Sequence, residues 1–212
     1  MAESIPTVFV VDDNPSIRES LSLLLSSAEY SVDTFSSAKE FLESEHSTSG
    51  PACLVLDVKM PGLSGLGLQK KLSSMNYTIP VIFITGHGDI SMSVQAMKNG
   101  AIDFLPKPFD DHVFLDAVKV ALLKNSQDRD NLNEKKHIMQ RLGSLTARHH
   151  EILTYLITGM LNKQIAGELK ISERTVKAHR KQVFDKMSAN SIAELVRLTV
   201  KAGVKPAAPG TK

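Results

Sequence analysis

Asp12 and Asp13 follow directly on the apolar run TVFVV, Asp57 follows ACLVL, Thr85 follows PVIFI, and Lys107 stands in FLPKPF. Three carboxylates, a hydroxyl and an amine are side chains suited to phosphoryl chemistry. Clustered carboxylates repel one another unless something positive sits among them. A hard divalent cation with oxygen ligands does this, and Mg2+ fits best. A lone carboxylate is a weak nucleophile. Beside Mg2+ it can attack phosphorus and hold the group as an acyl phosphate, while the metal and a lysine spread the charge. Each residue taken singly reads as a helix cap, a turn residue or an ordinary loop. Their convergence on several run ends is what makes a site.

That convergence requires a particular scaffold. The runs at 7–11, 31–35, 52–56, 80–84 and 101–105 are rich in β-branched and aromatic residues, as strands buried on both faces are. Helical patterns lie between them, in PSIRESLSLLLSSA, GLGLQKKLSSM, DISMSVQAMKNG and DDHVFLDAVKVALLK. In the first, Ile17, Leu21, Leu24 and Leu25 recur at helical spacing and Pro15 suits the opening turn. Strand alternating with helix predicts an α/β fold with a five-stranded parallel sheet, whose functional groups gather at the carboxyl ends of the strands.

The order VDD, LD with MPG beyond it, ITG, then KP resembles the receiver domain of two-component response regulators, over residues 5 to about 124. The resemblance implies a flavodoxin-like, doubly wound domain and names roles. Asp57 would accept phosphoryl from a sensor histidine kinase. Asp13, Asp57 and the backbone carbonyl of Lys59 would bind Mg2+, with Asp12 acting largely through metal-bound water. Lys107 would contact the phosphoryl group and precede a cis bond to Pro108. Thr85 would hydrogen-bond the phosphate, and Phe104 would turn inward with it as a switch aromatic.

The two halves carry opposite charge. Residues 1–125 have nine basic and fifteen acidic side chains, residues 126–212 sixteen and eight. The basic half is where nucleic acid would bind. It reads as a polar, partly helical linker over 125–143, helices over 144–203, and a disordered tail over 204–212. Thr146 and Ser172 are candidate N-caps. NKQIAGELK and ERTVKAHRKQVFDKMS, joined at Ile171 and Ser172, predict a helix-turn-helix. Val176, Val183 and Met187 would be its buried stripe, with Arg174, Lys177, Ala178 and Lys181 outward, a face that can enter a major groove. A solvated basic face on an ordinary helical bundle is the alternative. LTARHHEIL, NKQIAGELKIS and RTVKAHRKQVFDKM resemble the four-helix DNA-binding domain of LuxR/NarL-type regulators, and ITGHGDI with KPF points toward the FixJ subfamily. By that resemblance Lys177, Ala178 and Lys181 match base-reading positions, and Lys163, Arg174, Thr175, His179 and Arg180 are phosphate contacts or supports.

The implied protein is a cytoplasmic transcription regulator that is not an enzyme beyond its own phosphotransfer and dephosphorylation. It dimerises when phosphorylated and acts on double-stranded promoter DNA, with RNA polymerase as a further partner. One cysteine, Cys53, excludes an intrachain disulfide and reads as core. No signal pattern or apolar run of about 18 residues predicts a membrane partner. His149, His150 and His179 lack a metal-ligand framework. Two other readings stand beside this one. An aspartyl-phosphate phosphohydrolase commonly needs a second Asp two residues past its nucleophile, where this chain has Lys59. A phosphorylation-independent DNA-binding regulator would leave the acidic residues without a role.

Overall fold

Strand propensity and helix caps divide the N-terminal sequence into short alternating elements. In the computed structural model, which describes residues 5–45, 50–86 and 90–208, these are β1 (Thr7–Val11), α1 (Pro15–Ser27), β2 (Ser31–Phe35), α2 (Ala38–Glu43) and β3 (Ala52–Asp57), then α3 (Gly65–Ser74), β4 (Val81–Thr85), α4 (Ile90–Lys98) and β5 (Asp103–Pro106). All strand pairs are parallel, in the order β2-β1-β3-β4-β5. The order reverses between β1 and β3, which opens a crevice at their carboxyl ends. The last run is shifted, with β5 starting at Asp103 instead of Ala101.

The pleat sends alternate residues of each strand into two cores. Phe9, Val11, Leu54, Leu56 and Phe83 face one; Val8, Val10, Cys53, Val55, Ile82 and Ile84 face the other. Burial pushes the Cys53 thiol up to about 12, so it stays protonated and acts as a small hydrophobe. Pro15 opens α1 and Asn14 caps it, its Oδ1 accepting from the Ser16 N–H at 3.0 Å. The short helix α2, capped by Ser37, is too brief for its apolar spacing to announce it. Of DISMSVQAMKNG, Asp89 lies outside the described residues, while Val94 and Met97 are exposed on α4.

The segment 125–143 differs from the expected linker. It belongs to one helix, α5, running Asp111–Gly143. No Pro interrupts it and its only Gly is the last residue, so nothing stops helix propagation. Buried Asn125 accepts the Ala52 N–H at 3.0 Å, which ties α5 to the start of β3.

The chain forms two compact units, Met1–Arg129 and Asp130–Lys212, and α5 contributes to both. In the second, α6 (Ala147–Leu156), α7 (Asn162–Leu169), α8 (Glu173–Met187) and α9 (Ile192–Lys201) enclose an apolar core. Val176, Val183 and Met187 are fully buried there, and Ile138 and Leu142 of α5 are buried with them. Glu134 of α5 pairs with Arg197 at 3.1 Å and with Lys201, both on α9. The tail also differs from expectation. Val204 packs on the core, and the Ala207 N–H reaches the Thr154 carbonyl at 3.0 Å. The rest of the tail, residues 209–212, lies outside the described residues.

Candidate functional site

The parallel sheet brings its carboxyl ends to one rim, and the residues there meet. Asp12, one residue past β1, is 1% exposed. Its Oδ1 accepts from the Asn14 N–H at 2.9 Å, and its carbonyl accepts from Arg18 Nη1 at 2.7 Å. Asp57 ends β3 and is also buried; its Oδ2 accepts from the Lys59 N–H at 2.7 Å. Lys107 follows β5. Its ammonium donates to Asp12 Oδ2 at 2.6 Å and to Asp57 Oδ1 at 2.8 Å. Its own N–H bonds the Thr85 carbonyl at 2.7 Å, which couples the ends of β4 and β5. The Lys107–Pro108 bond is cis. Thr85 is buried. Phe104 is half-buried beside Phe83, with ring centroids 6.2 Å apart.

Burial holds the Asp57 carboxyl above its ordinary range, and the hydrogen bond and charge of Lys107 only partly offset it. Burial by itself would lower the Lys107 ammonium, but the bonds and charges of Asp12 and Asp57 outweigh it and raise that group. Asp57 is therefore a carboxylate that carries its charge at a cost, the condition under which a further cation or an esterifying group is favoured.

Asp13 and Lys59 are exposed at the same rim. Among the described residues no three acidic, His or Cys side chains converge at metal-ligand range. The Lys107 ammonium lies between Asp12 and Asp57, and Asp13 faces outward. The donor chemistry still fits Mg2+. Asp12 and Asp57 share a single ammonium, Asp13 stands at the same rim, and the available donors are all hard oxygens.

Gly65 was not singled out by its sequence context. It opens α3 where the backbone passes Asp57: a Cβ there would lie 2.2 Å from the Asp57 carbonyl oxygen. Its N–H bonds the Val58 carbonyl at 3.0 Å. Gly65→Ala is expected to destabilise this unit by about 1–3 kcal/mol and to slow any reaction at Asp57, because the clash is with backbone. Chemical denaturation and a rate measurement on the variant check both.

The second site is on α8. Lys170, in left-handed conformation at φ 53, ends α7, and Ser172 caps α8, accepting from the Thr175 N–H at 3.1 Å. The two helices and this turn form the helix-turn-helix. Arg174, Lys177, Ala178 and Lys181 are exposed on α8, and Lys163 on α7. Thr175 is half-buried and its hydroxyl bonds Ser172 at 2.7 Å. Arg180 lies over the Phe184 ring at 5.4 Å and donates to Asn162 at 3.4 Å, so the structure gives it a bracing position. His179 packs edge-on against buried His149. His150 bonds the Leu142 carbonyl at 3.0 Å.

An acidic crevice on a doubly wound sheet, in a chain that also carries a helix-turn-helix with a basic outer face, defines a signal receiver coupled to a DNA-binding module. Residues 8–119 match the response regulator receiver domain, and residues 143–199 match the bacterial regulatory proteins of the luxR family. The transcriptional regulatory protein FixJ of Azorhizobium caulinodans is 42% identical over 211 residues, covering 100% of this chain and 99% of that protein. The response regulator protein TodT of Pseudomonas putida is 43% identical over 199 residues, 94% of this chain and 87% of TodT. The solved structure of the response regulator StyR has 48% identity and a TM-score of 0.83, covering 93% of this chain and 100% of StyR. The chain belongs to the two-component response regulators with a LuxR-type DNA-binding domain.

Proposed function

We propose that Asp57 accepts a phosphoryl group from a sensor histidine kinase and that the modified chain pairs with a second copy to bind promoter DNA. The observation that carries this reading is the Lys107 ammonium bonded to both Asp12 and Asp57 at the carboxyl ends of β1 and β3. In the transfer, an Asp57 carboxylate oxygen forms the bond to phosphorus while the bond from phosphorus to the donor's leaving atom breaks. The Lys107 ammonium, released from one carboxylate, bonds a phosphoryl oxygen instead. The Thr85 hydroxyl donates to another, and Phe104 follows it inward.

Asp13, Asp57 and the Lys59 carbonyl would hold Mg2+, which supplies positive charge against the phosphoryl oxygens. The chain turns over no separate substrate; it carries out only its own phosphotransfer and dephosphorylation. It works in the cytoplasm, and RNA polymerase is a further partner. The basic, exposed outer face of α8 supports major-groove binding, with Lys177, Ala178 and Lys181 toward bases and Lys163, Arg174 and Thr175 toward the backbone. Lys59, standing where a phosphohydrolase has its acid, weighs against the enzyme alternative.

Intact-protein mass after incubation with a small phosphodonor tests the acceptor. One phosphoryl adduct is expected with Mg2+, lost when the metal is chelated. No adduct with Mg2+ present would overturn the acceptor assignment, and an adduct indifferent to chelation would overturn the metal.

A further inference from the structure

The head of α6 is built unusually. In a capping box the third helical residue is ordinarily Glu or Gln, whose side chain accepts the N–H of the cap. Here that residue is His149. Its Nδ1 lies 3.4 Å from the Thr146 N–H, while the Thr146 hydroxyl accepts the His149 N–H at 3.3 Å. A backbone N–H can only donate, so Nδ1 presents a lone pair and the ring proton sits on Nε2. That proton points at Gln182 Oε1, 2.8 Å away on α8. His149 is 6% exposed, and its ring meets the His179 ring of α8 edge-on at 5.4 Å. The buried His179 Nδ1 has no hydrogen-bond partner among the described residues.

We propose that His149 is a positioning residue that closes the head of α6, the helix packed against α8, only while its ring is neutral, so that the DNA-binding unit loosens as pH falls. This rests on α8 being the DNA-reading helix. A proton added to Nδ1 removes the acceptor from the Thr146 N–H and sets a cation at a helix N-terminus, where the peptide dipoles oppose it.

The surroundings do not compensate. On α6, Arg148 pairs with Glu151, and His150 is bonded to the Leu142 carbonyl of α5. From α8, Lys186 donates to the Ser144 carbonyl at 2.7 Å, bringing a cation near the same helix start, and Arg180 turns to Asn162. Asp185 on α8, and Lys163 and Glu168 on α7, are exposed. Arg141 of α5 donates to the Met187 carbonyl. Among the described residues no carboxylate forms an ion pair with His149. Gln182 is neutral, and the neighbouring His179 ring supplies no negative charge.

Two-dimensional NMR of the full chain from pH about 8 to about 5.5 tests the lock. The Thr146 amide and the Gln182 side-chain amide are expected to shift with the same midpoint as the His149 ring. In His149→Gln, which keeps an acceptor that does not titrate, they stay in place. In Gln182→Glu, whose carboxylate faces Nε2 and favours the charged ring, the wild-type midpoint moves to higher pH.

Fluorescence anisotropy with a generic DNA duplex reads the consequence. Wild type is expected to bind at least about fivefold more weakly at the acid end, against the strengthening that added positive charge gives; His149→Gln is not. A Thr146 amide indifferent to the ring's titration, or the same pH response in wild type and His149→Gln, overturns the proposal. Failure to bind the duplex even at pH about 8 would instead remove the DNA reading, and the NMR shifts would still decide the lock.

Discussion

Asp57→Asn is expected to abolish the phosphoryl adduct while raising the thermal stability of the receiver unit. The first effect is absolute, because an amide nitrogen or oxygen does not form the acyl phosphate, and no neighbouring carboxylate is placed like Asp57 at the end of β3. The second follows from the direction of its titration. Burial raises the Asp57 carboxyl above its ordinary value. A carboxylate raised in the folded state costs stability once ionised: its favourable contribution is present below the unfolded-state value and is lost as pH rises through the folded one. At neutral pH, Asn removes that cost, leaves Lys107 its bond to Asp12, and should raise the unfolding midpoint by a few degrees. In wild type, the same linkage makes stability rise on acidification from the raised value down to the ordinary one. Mass spectrometry with phosphodonor and Mg2+, and thermal scans without the metal, check the pair of effects. An adduct on the Asn variant would show that a different residue accepts.

The double replacement Lys177→Ala and Lys181→Ala carries the second large effect. Each basic side chain that reads a base edge contributes about 1–3 kcal/mol. Losing both should weaken binding to the cognate site by at least about thirtyfold. Both are exposed on α8, away from Val176, Val183 and Met187, so unfolding should move by no more than about 0.5 kcal/mol. A salt titration separates their roles. Base contacts leave the slope of log affinity against log salt nearly unchanged, whereas two phosphate contacts lower it by about two. Unchanged affinity for the cognate site would move DNA reading off this face of α8.

The legible parts of the chain are those fixed by local spacing. Apolar runs with β-branched residues located the strands, and the residues closing them, Asp57 and Thr85, marked the rim. Val176, Val183 and Met187 at helical spacing gave the buried stripe of α8. What escaped depends on distance in sequence. The FLPKPF context puts Lys107 at the rim, but it lies 95 residues from Asp12 and 50 from Asp57, and nothing local says that its ammonium bridges the two directly. Asn125 reads as the start of a polar linker until its bond to Ala52 is seen. Gly65 looks like any glycine near a turn, and only the passage of the Asp57 carbonyl shows why a side chain is excluded. Polarity made 125–143 read as a linker only partly helical, since a helix without a breaker needs no apolar face until Ile138 and Leu142 meet the second core. The pairing of His149 with Gln182, 33 residues away, was invisible for the same reason as the Lys107 bridge.

The most direct measurement is light scattering combined with DNA anisotropy on wild type and Asp57→Asn, each with and without phosphodonor and Mg2+. Phosphorylated wild type should double in mass and bind a promoter duplex more tightly, because two joined modules engage two half-sites at once. Asp57→Asn should do neither. Equal mass and equal affinity with and without the adduct would contradict the proposal that phosphorylation at Asp57 controls DNA binding.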